Sequence, residues 1–241
     1  MGGYRLTFDG PVSTPKYDIT TSKMHWNSVI SNPGSRYLVV DVKKFYLNNI
    51  MSNHEYYNIA IILIPQEVID EYNLMENKIN GFLYVRTEKG MYGIVQAGII
   101  SHTALKEHLR PFIYEPAPIT PGLWRFNKNG IIFTLVVDEF GIKYKRKEDE
   151  MHIIHALQEI YDITKYWTGS LYSGTTLNWD YKAGILDISM AGYIKEALHK
   201  FQHPTPRRPH NSPHQWNPPN YSSAAPQLAH QSHESPKLDP P

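Results

Sequence analysis

An acidic pair set inside an otherwise apolar, β-favouring run constrains this chain more than any other feature. The segment Phe133-Thr134-Leu135-Val136-Val137-Asp138-Glu139-Phe140-Gly141-Ile142-Lys143-Tyr144 places two carboxylates between hydrophobic flanks, with Gly141 close behind. This pattern predicts a buried hairpin with Asp138 and Glu139 at its tip. Charges in an apolar setting are strongly destabilising unless they are paired or bound to a cation, so the two acids need a partner. A tight turn that points both to water would also satisfy the pattern. A second apolar run, Arg36-Tyr37-Leu38-Val39-Val40-Asp41-Val42, also terminates on an aspartate. If the two strands are neighbours in one sheet, Asp41 and Asp138 converge, and they repel unless a divalent cation lies between them. Hard oxygen ligands suit magnesium or manganese, and a pair of such ions is the machinery of in-line nucleotidyl transfer.

The 241 residues suffice for one large domain or a domain with an appended tail. Cysteine is absent, which excludes disulfides, zinc-cysteine sites and thiol nucleophiles and fits a reducing, intracellular setting. No run reaches the roughly 18 to 20 apolar residues of a membrane span, and the N-terminus lacks the order of a signal peptide, so no membrane is expected among the partners. The net charge is +1, and without Arg207, Arg208, Lys237, Glu234 and Asp239 the body of the chain is neutral. Nucleic-acid enzymes usually carry a basic excess, and here only local clusters exist: Lys43-Lys44 and the group Lys143, Lys145, Arg146, Lys147. Solvated faces are the commoner reading of both.

In chain order, Tyr4 to Phe8 alternates like a strand. A helix is expected over 18–30, capped by Thr20 or Thr21, with Met24 and Val29 on its apolar face. The Asp41 strand follows, and then Tyr46, which could lie beneath a bound sugar or fill the core. Strands are expected near 56–64 and 82–86, with a short helix after Pro65. The glycines of Lys89-Gly90-Met91-Tyr92-Gly93-Ile94-Val95-Gln96-Ala97-Gly98 let backbone approach a ligand, and Gln96 offers an amide. Neither a Walker phosphate loop nor a dinucleotide fingerprint is present. A helix is expected from about 99 to 109. Asn129-Gly130 turns into the central strand. The next helix covers 149–161, with Met151, Ile154 and Leu157 on one side. Strands at about 170–179 and 184–190 and a helix at about 191–201 complete an α+β pattern with an antiparallel sheet backed by helices. Ten of the 18 prolines and five of the 12 histidines lie in residues 202–241, which read as a disordered Pro/His-rich linker.

These segments together resemble the reverse transcriptase of copia-type LTR retrotransposons through most of residues 4–201. "RYLVVDVKKFYLN", residues 36–48, is similar to the first polymerase motif. "KGMYGIVQAG", residues 89–98, resembles the family's Tyr-Gly-Leu-x-Gln-Ala segment, and "FTLVVDEFGIKY" resembles the aromatic-x-Asp-Asp hairpin. The family's second aspartate is replaced by Glu139, and Val136-Val137 stands where an aromatic-Val or aromatic-Met pair is usual.

The resemblance implies a polymerase palm with partial fingers and, from about residue 191, the start of a thumb. It implies a catalytic set of Asp41, Asp138 and Glu139, with Asp41, Asp138 and the Val42 carbonyl as ligands of Mg2+ or Mn2+. Tyr46 would exclude a ribose 2′-hydroxyl, Gln96 would meet the incoming nucleotide and template, and Arg5 would face the triphosphate. Tyr172, Ser173 and Gly174 of "SLYSGTTLNWD" would contact the primer. The implied partners are an RNA or DNA template with its primer, deoxynucleotide triphosphates and the remainder of a retroelement polyprotein. The implied function is RNA-directed DNA polymerase. A non-catalytic, decayed retroelement fragment that keeps the palm, with or without nucleic-acid binding, is the alternative. A nucleotide cyclase, suggested by Asp138-Glu139-Phe140, is disfavoured because bulky Val136-Val137 occupies the position where guanine needs close backbone approach.

Overall fold

A computed structural model describes residues 14, 17–126, 128 and 130–202. The expected strand at Tyr4–Phe8, Arg5, Asn129 and the tail beyond Gln202 lie outside the described residues. Contacts divide the chain into Met1–Lys195 and Glu196–Pro241. The elements below belong to the first unit, except that the last helix, α5 (Ala191–Lys200), runs across the division.

Helix α1 (Ile19–Ser31) is capped by Asp18, whose carboxylate accepts the Thr21 N–H at 2.6 Å. The cap thus lies two residues before Thr20 and three before Thr21. α1 buries Ser22, His25, Trp26 and Val29, while Met24 is 68% exposed. Of the two residues expected on the apolar face, Val29 is buried and Met24 is not; Trp26 completes the face instead.

The chain then enters β1 (Arg36–Val42), followed after an excursion by β2 (Tyr56–Ala60) and β3 (Phe82–Arg86), which pair as a separate two-stranded sheet with helix α2 (Gln66–Glu71) between them. Helix α3 (Ala97–Leu109) leads to β4 (Tyr114–Pro116), β5 (Leu123–Phe126), β6 (Ile132–Val136) and β7 (Glu139–Tyr144). Helix α4 (Lys147–Gln158) precedes β8 (Ile163–Tyr166). The main sheet has the order β4-β5-β6-β7-β1-β8, and every pairing in it is antiparallel. A three-stranded antiparallel sheet is formed by β9 (Leu171–Tyr172), β10 (Thr175–Asp180) and β11 (Ile185–Ser189). The architecture is α+β with antiparallel sheets.

β1 has strands on both edges and cover on both faces, which is why its sequence is almost continuously apolar. Leu38, Val40 and Val42 join Leu105 and Leu109 of α3 and Ile153, Ile154 and Leu157 of α4 in the larger core. Tyr37 and Val39 face the other way, into a second core with Trp26, Val29, Tyr172 and Leu177. Period-two alternation puts Asp41 on the second face, at the strand's far end.

Two strands were not foreseen. β4 and β8 are three and four residues long, too short for alternation to be read. The expected strand at 170–179 is broken into β9 and β10 by Ser173-Gly174, whose φ values of +48° and +73° make a two-residue primed turn between the paired Tyr172 and Thr175. On α4, Ile153 and Ala156 are buried beside Ile154 and Leu157, whereas Met151 is 48% exposed rather than inward. Among the described residues no helix is long and apolar enough to cross a membrane.

Candidate carboxylate site

The antiparallel register of β1 and β7 places Asp41 directly opposite Glu139, so their side chains leave the sheet on the same face. Val136 pairs with Glu139 across the hairpin, leaving Val137-Asp138 as its two-residue tip. The Val42 N–H donates to the Asp138 carbonyl at 2.9 Å, which ties that tip to the end of β1. Val137 has φ +58°, a conformation that costs a β-branched residue about 1–3 kcal/mol. Three acidic side chains, from segments distant in sequence, thereby share one sheet end.

Their electrostatics agree with this placement. Burial raises the Asp41 carboxyl above its ordinary range, the Asp138 charge raises it further, and Lys43 partly offsets both. Glu139 is also pushed up, first by burial; the Ser173 N–H counters this, and Asp41 and Asp138 add to the rise. Lys43 itself spans to Asp162 at 3.0 Å across an exposed surface.

Each acid has a different immediate partner. The Tyr92 hydroxyl donates to Oδ2 of Asp138. Glu139 Oε2 accepts the Ser173 N–H at 2.6 Å. No hydrogen bond contributes to the shift at Asp41, whose carboxylate is the least engaged of the three. Tyr46 lies beside this group, its ring 4.6 Å from that of Tyr92 at 59°. Desolvation and the Asp138 charge both raise the Tyr46 phenol. A cavity of about 310 Å³ opens next to it, bordered by Phe45, Tyr46, His102, Trp124, Val136 and Val137.

The other expected residues are distributed more widely. The Val42 side chain is buried among the helix-side core. Gln96 is 1% exposed, and its amide donates to Glu55 Oε1 at 2.7 Å while its own oxygen has no partner. Tyr172 is also 1% exposed: it packs against Trp26 and Tyr37, and its hydroxyl donates to Thr134 at 3.1 Å. Its side chain is thus core rather than a surface for a primer, because the sheet's second face needs a large apolar cover there. Ser173 and Gly174 do reach the carboxylates, but through turn backbone.

Among the described residues no three His, Asp or Glu side chains stand grouped to hold a metal ion as they are now oriented. The donor chemistry nonetheless fits a hard divalent cation: three carboxylates from β1 and the β6–β7 hairpin supply oxygen only, and two of them have raised proton affinity in each other's field. Coordination by Asp138 Oδ2 or Glu139 Oε2 would compete with the hydrogen bonds those oxygens accept.

Tyr92 is the participant that sequence reasoning missed. Its signal was an aromatic between Gly90 and Gly93 in a segment otherwise read for backbone freedom. No protein-family model matches this chain, and no curated protein is significantly similar to it.

Proposed function

We propose that the chain is the palm-type polymerase domain of a copia-type retroelement, an RNA-directed DNA polymerase working by two-metal nucleotidyl transfer. The observation that carries this reading is the meeting of Asp41 with Asp138 at the hairpin tip and Glu139 at the start of β7, at one end of an antiparallel sheet. In the reaction a primer 3′-hydroxyl attacks the α-phosphate of a deoxynucleotide triphosphate in line, forming one P–O bond as pyrophosphate departs. Mg2+ or Mn2+ would supply charge neutralisation at the phosphates and ease loss of the hydroxyl proton. Asp41 and Asp138 hold that charge in place, with the Val42 carbonyl and Glu139 in support. Tyr46, wedged against Tyr92, walls the sugar side of the pocket. Gln96, buried in the neighbouring segment, is held there by Glu55. Positioning and charge stabilisation do the chemistry, so the lack of cysteine carries no penalty. The partners on this reading are a primed RNA or DNA template and the remainder of a retroelement polyprotein.

One observation favours the second reading, a non-catalytic palm that still contacts nucleic acid. Asp138 and Glu139 are both already engaged by protein donors. Primer extension on poly(rA)/oligo(dT) with Mg2+ or Mn2+ separates the two. Incorporation that disappears in Asp41→Asn supports the polymerase. Absence of incorporation together with salt-sensitive template binding supports the non-catalytic palm.

A further inference from the structure

We propose that Tyr92 is a latch on the carboxylate site: its hydroxyl holds Asp138 Oδ2 in competition with a divalent cation. Cation binding therefore releases the Met91–Gly93 turn from the palm hairpin. The inference rests on the polymerase reading only in taking Asp138 as a metal ligand.

Three features support the latch. The Tyr92 hydroxyl donates to Asp138 Oδ2, so one of that carboxylate's two oxygens is committed to a protein donor. The Tyr92 side chain is half-exposed, and the flanking turn contains Gly93 at φ +90°, so the side chain can swing outward without opening the core. The ring also packs against Tyr46, which couples the hydrogen bond to the pocket wall. By linkage, whatever favours the released turn also favours the cation, and the reverse. Within the same span, Gln96 Nε2 and Glu55 tie the next part of the chain down, so the movement is confined to the residues before Gln96. Tyr92 is on this account a positioning residue that acts through Asp138 and Tyr46.

The test is Mn2+ binding to the full chain, followed by the fall in free Mn2+ electron-paramagnetic-resonance signal, in wild type, Tyr92→Phe and Asp138→Asn. Tyr92→Phe keeps the ring on Tyr46 and removes only the hydroxyl. The latch predicts Mn2+ binding about three- to tenfold tighter in Tyr92→Phe, the scale of one partly solvated hydrogen bond to a charged acceptor. It also predicts that Mg2+ alters the near-ultraviolet circular dichroism of the wild type as the Tyr46–Tyr92 ring pair separates. Equal or weaker Mn2+ affinity in Tyr92→Phe, with Asp138→Asn still weakening binding, overturns the latch and leaves the metal site standing. Binding that Asp138→Asn does not change overturns the metal site and the latch together.

Discussion

Adding one methyl group at Gly141 tests how the carboxylate site is held in register. Gly141 sits on β7, paired with Val39, two residues beyond Glu139 and on the same face. The ring of Tyr37 lies across it so closely that a Cβ would meet the Tyr37 hydroxyl oxygen at 2.0 Å, its Cζ at 2.9 Å and Thr134 Oγ1 at 3.0 Å. Tyr37 has nowhere to go. Its hydroxyl accepts the Trp26 indole N–H at 3.1 Å, and its ring is packed by His25, Tyr172 and Trp179. Overpacking of this kind costs about 1–3 kcal/mol. Displacing the hydroxyl adds about 1 kcal/mol for the lost hydrogen bond. Gly141→Ala is therefore expected to destabilise the fold by about 2–4 kcal/mol, read as a fall in the urea midpoint at constant slope. Tyr37→Phe removes the atom at 2.0 Å, so the double variant should be less destabilised than the sum of the singles by about 1 kcal/mol or more. A Gly141→Ala protein within about 0.5 kcal/mol of wild type, or a fully additive cycle, would refute the packing argument.

Other perturbations separate structural from functional roles. Tyr172→Phe should cost about 1 kcal/mol in urea unfolding through loss of the bond to Thr134 and, on the proposed polymerase reading, leave primer binding unchanged. Glu55→Ala strands the buried Gln96 amide and should destabilise by about 1–3 kcal/mol, a loss that thermal unfolding would detect. His25 is buried and neutral, its pKa lowered to about 3 by desolvation and by Lys143. A depressed pKa stabilises fully above the unfolded value near 6.5, and that stability is lost as pH falls toward the folded value. Each pH unit in that window should therefore cost about 1.4 kcal/mol from this one group, and His25→Leu should flatten the acid limb of the stability profile.

Much of the frame was legible because backbone pattern alone specifies it. Apolar runs bounded by turn residues located β1, β6 and β7, and the Asp41 strand and Asp138 hairpin do lie side by side. The helix faces were harder. Met24 and Met151 fit an apolar stripe as well as Trp26 or Ile153 does, and only the tertiary contacts decide which side turns inward. Tyr172 illustrates the same limit at the candidate site, since an aromatic beside a Ser-Gly turn looks available to a ligand until the second core claims it.

What sequence could not convey is which donors the acids recruit. Asp41 and Glu139 are brought together by strand register, which follows from alternation and hairpin length. Tyr92 and Ser173 reach the same point from turns, where one residue's φ decides where the next group aims. A carboxylate cluster offers no choice about its repulsion, only about what relieves it: a proton, a hydrogen-bond donor or a metal ion. Among the described residues the fold supplies donors for Asp138 and Glu139 and none for Asp41, an asymmetry that, on the proposed metal site, would make Asp41 the first ligand available to a cation. On the proposed latch, Asp138 Oδ2 would then join as Tyr92 lets go. Metal affinity in this chain should accordingly depend on a phenol that contributes no ligand of its own.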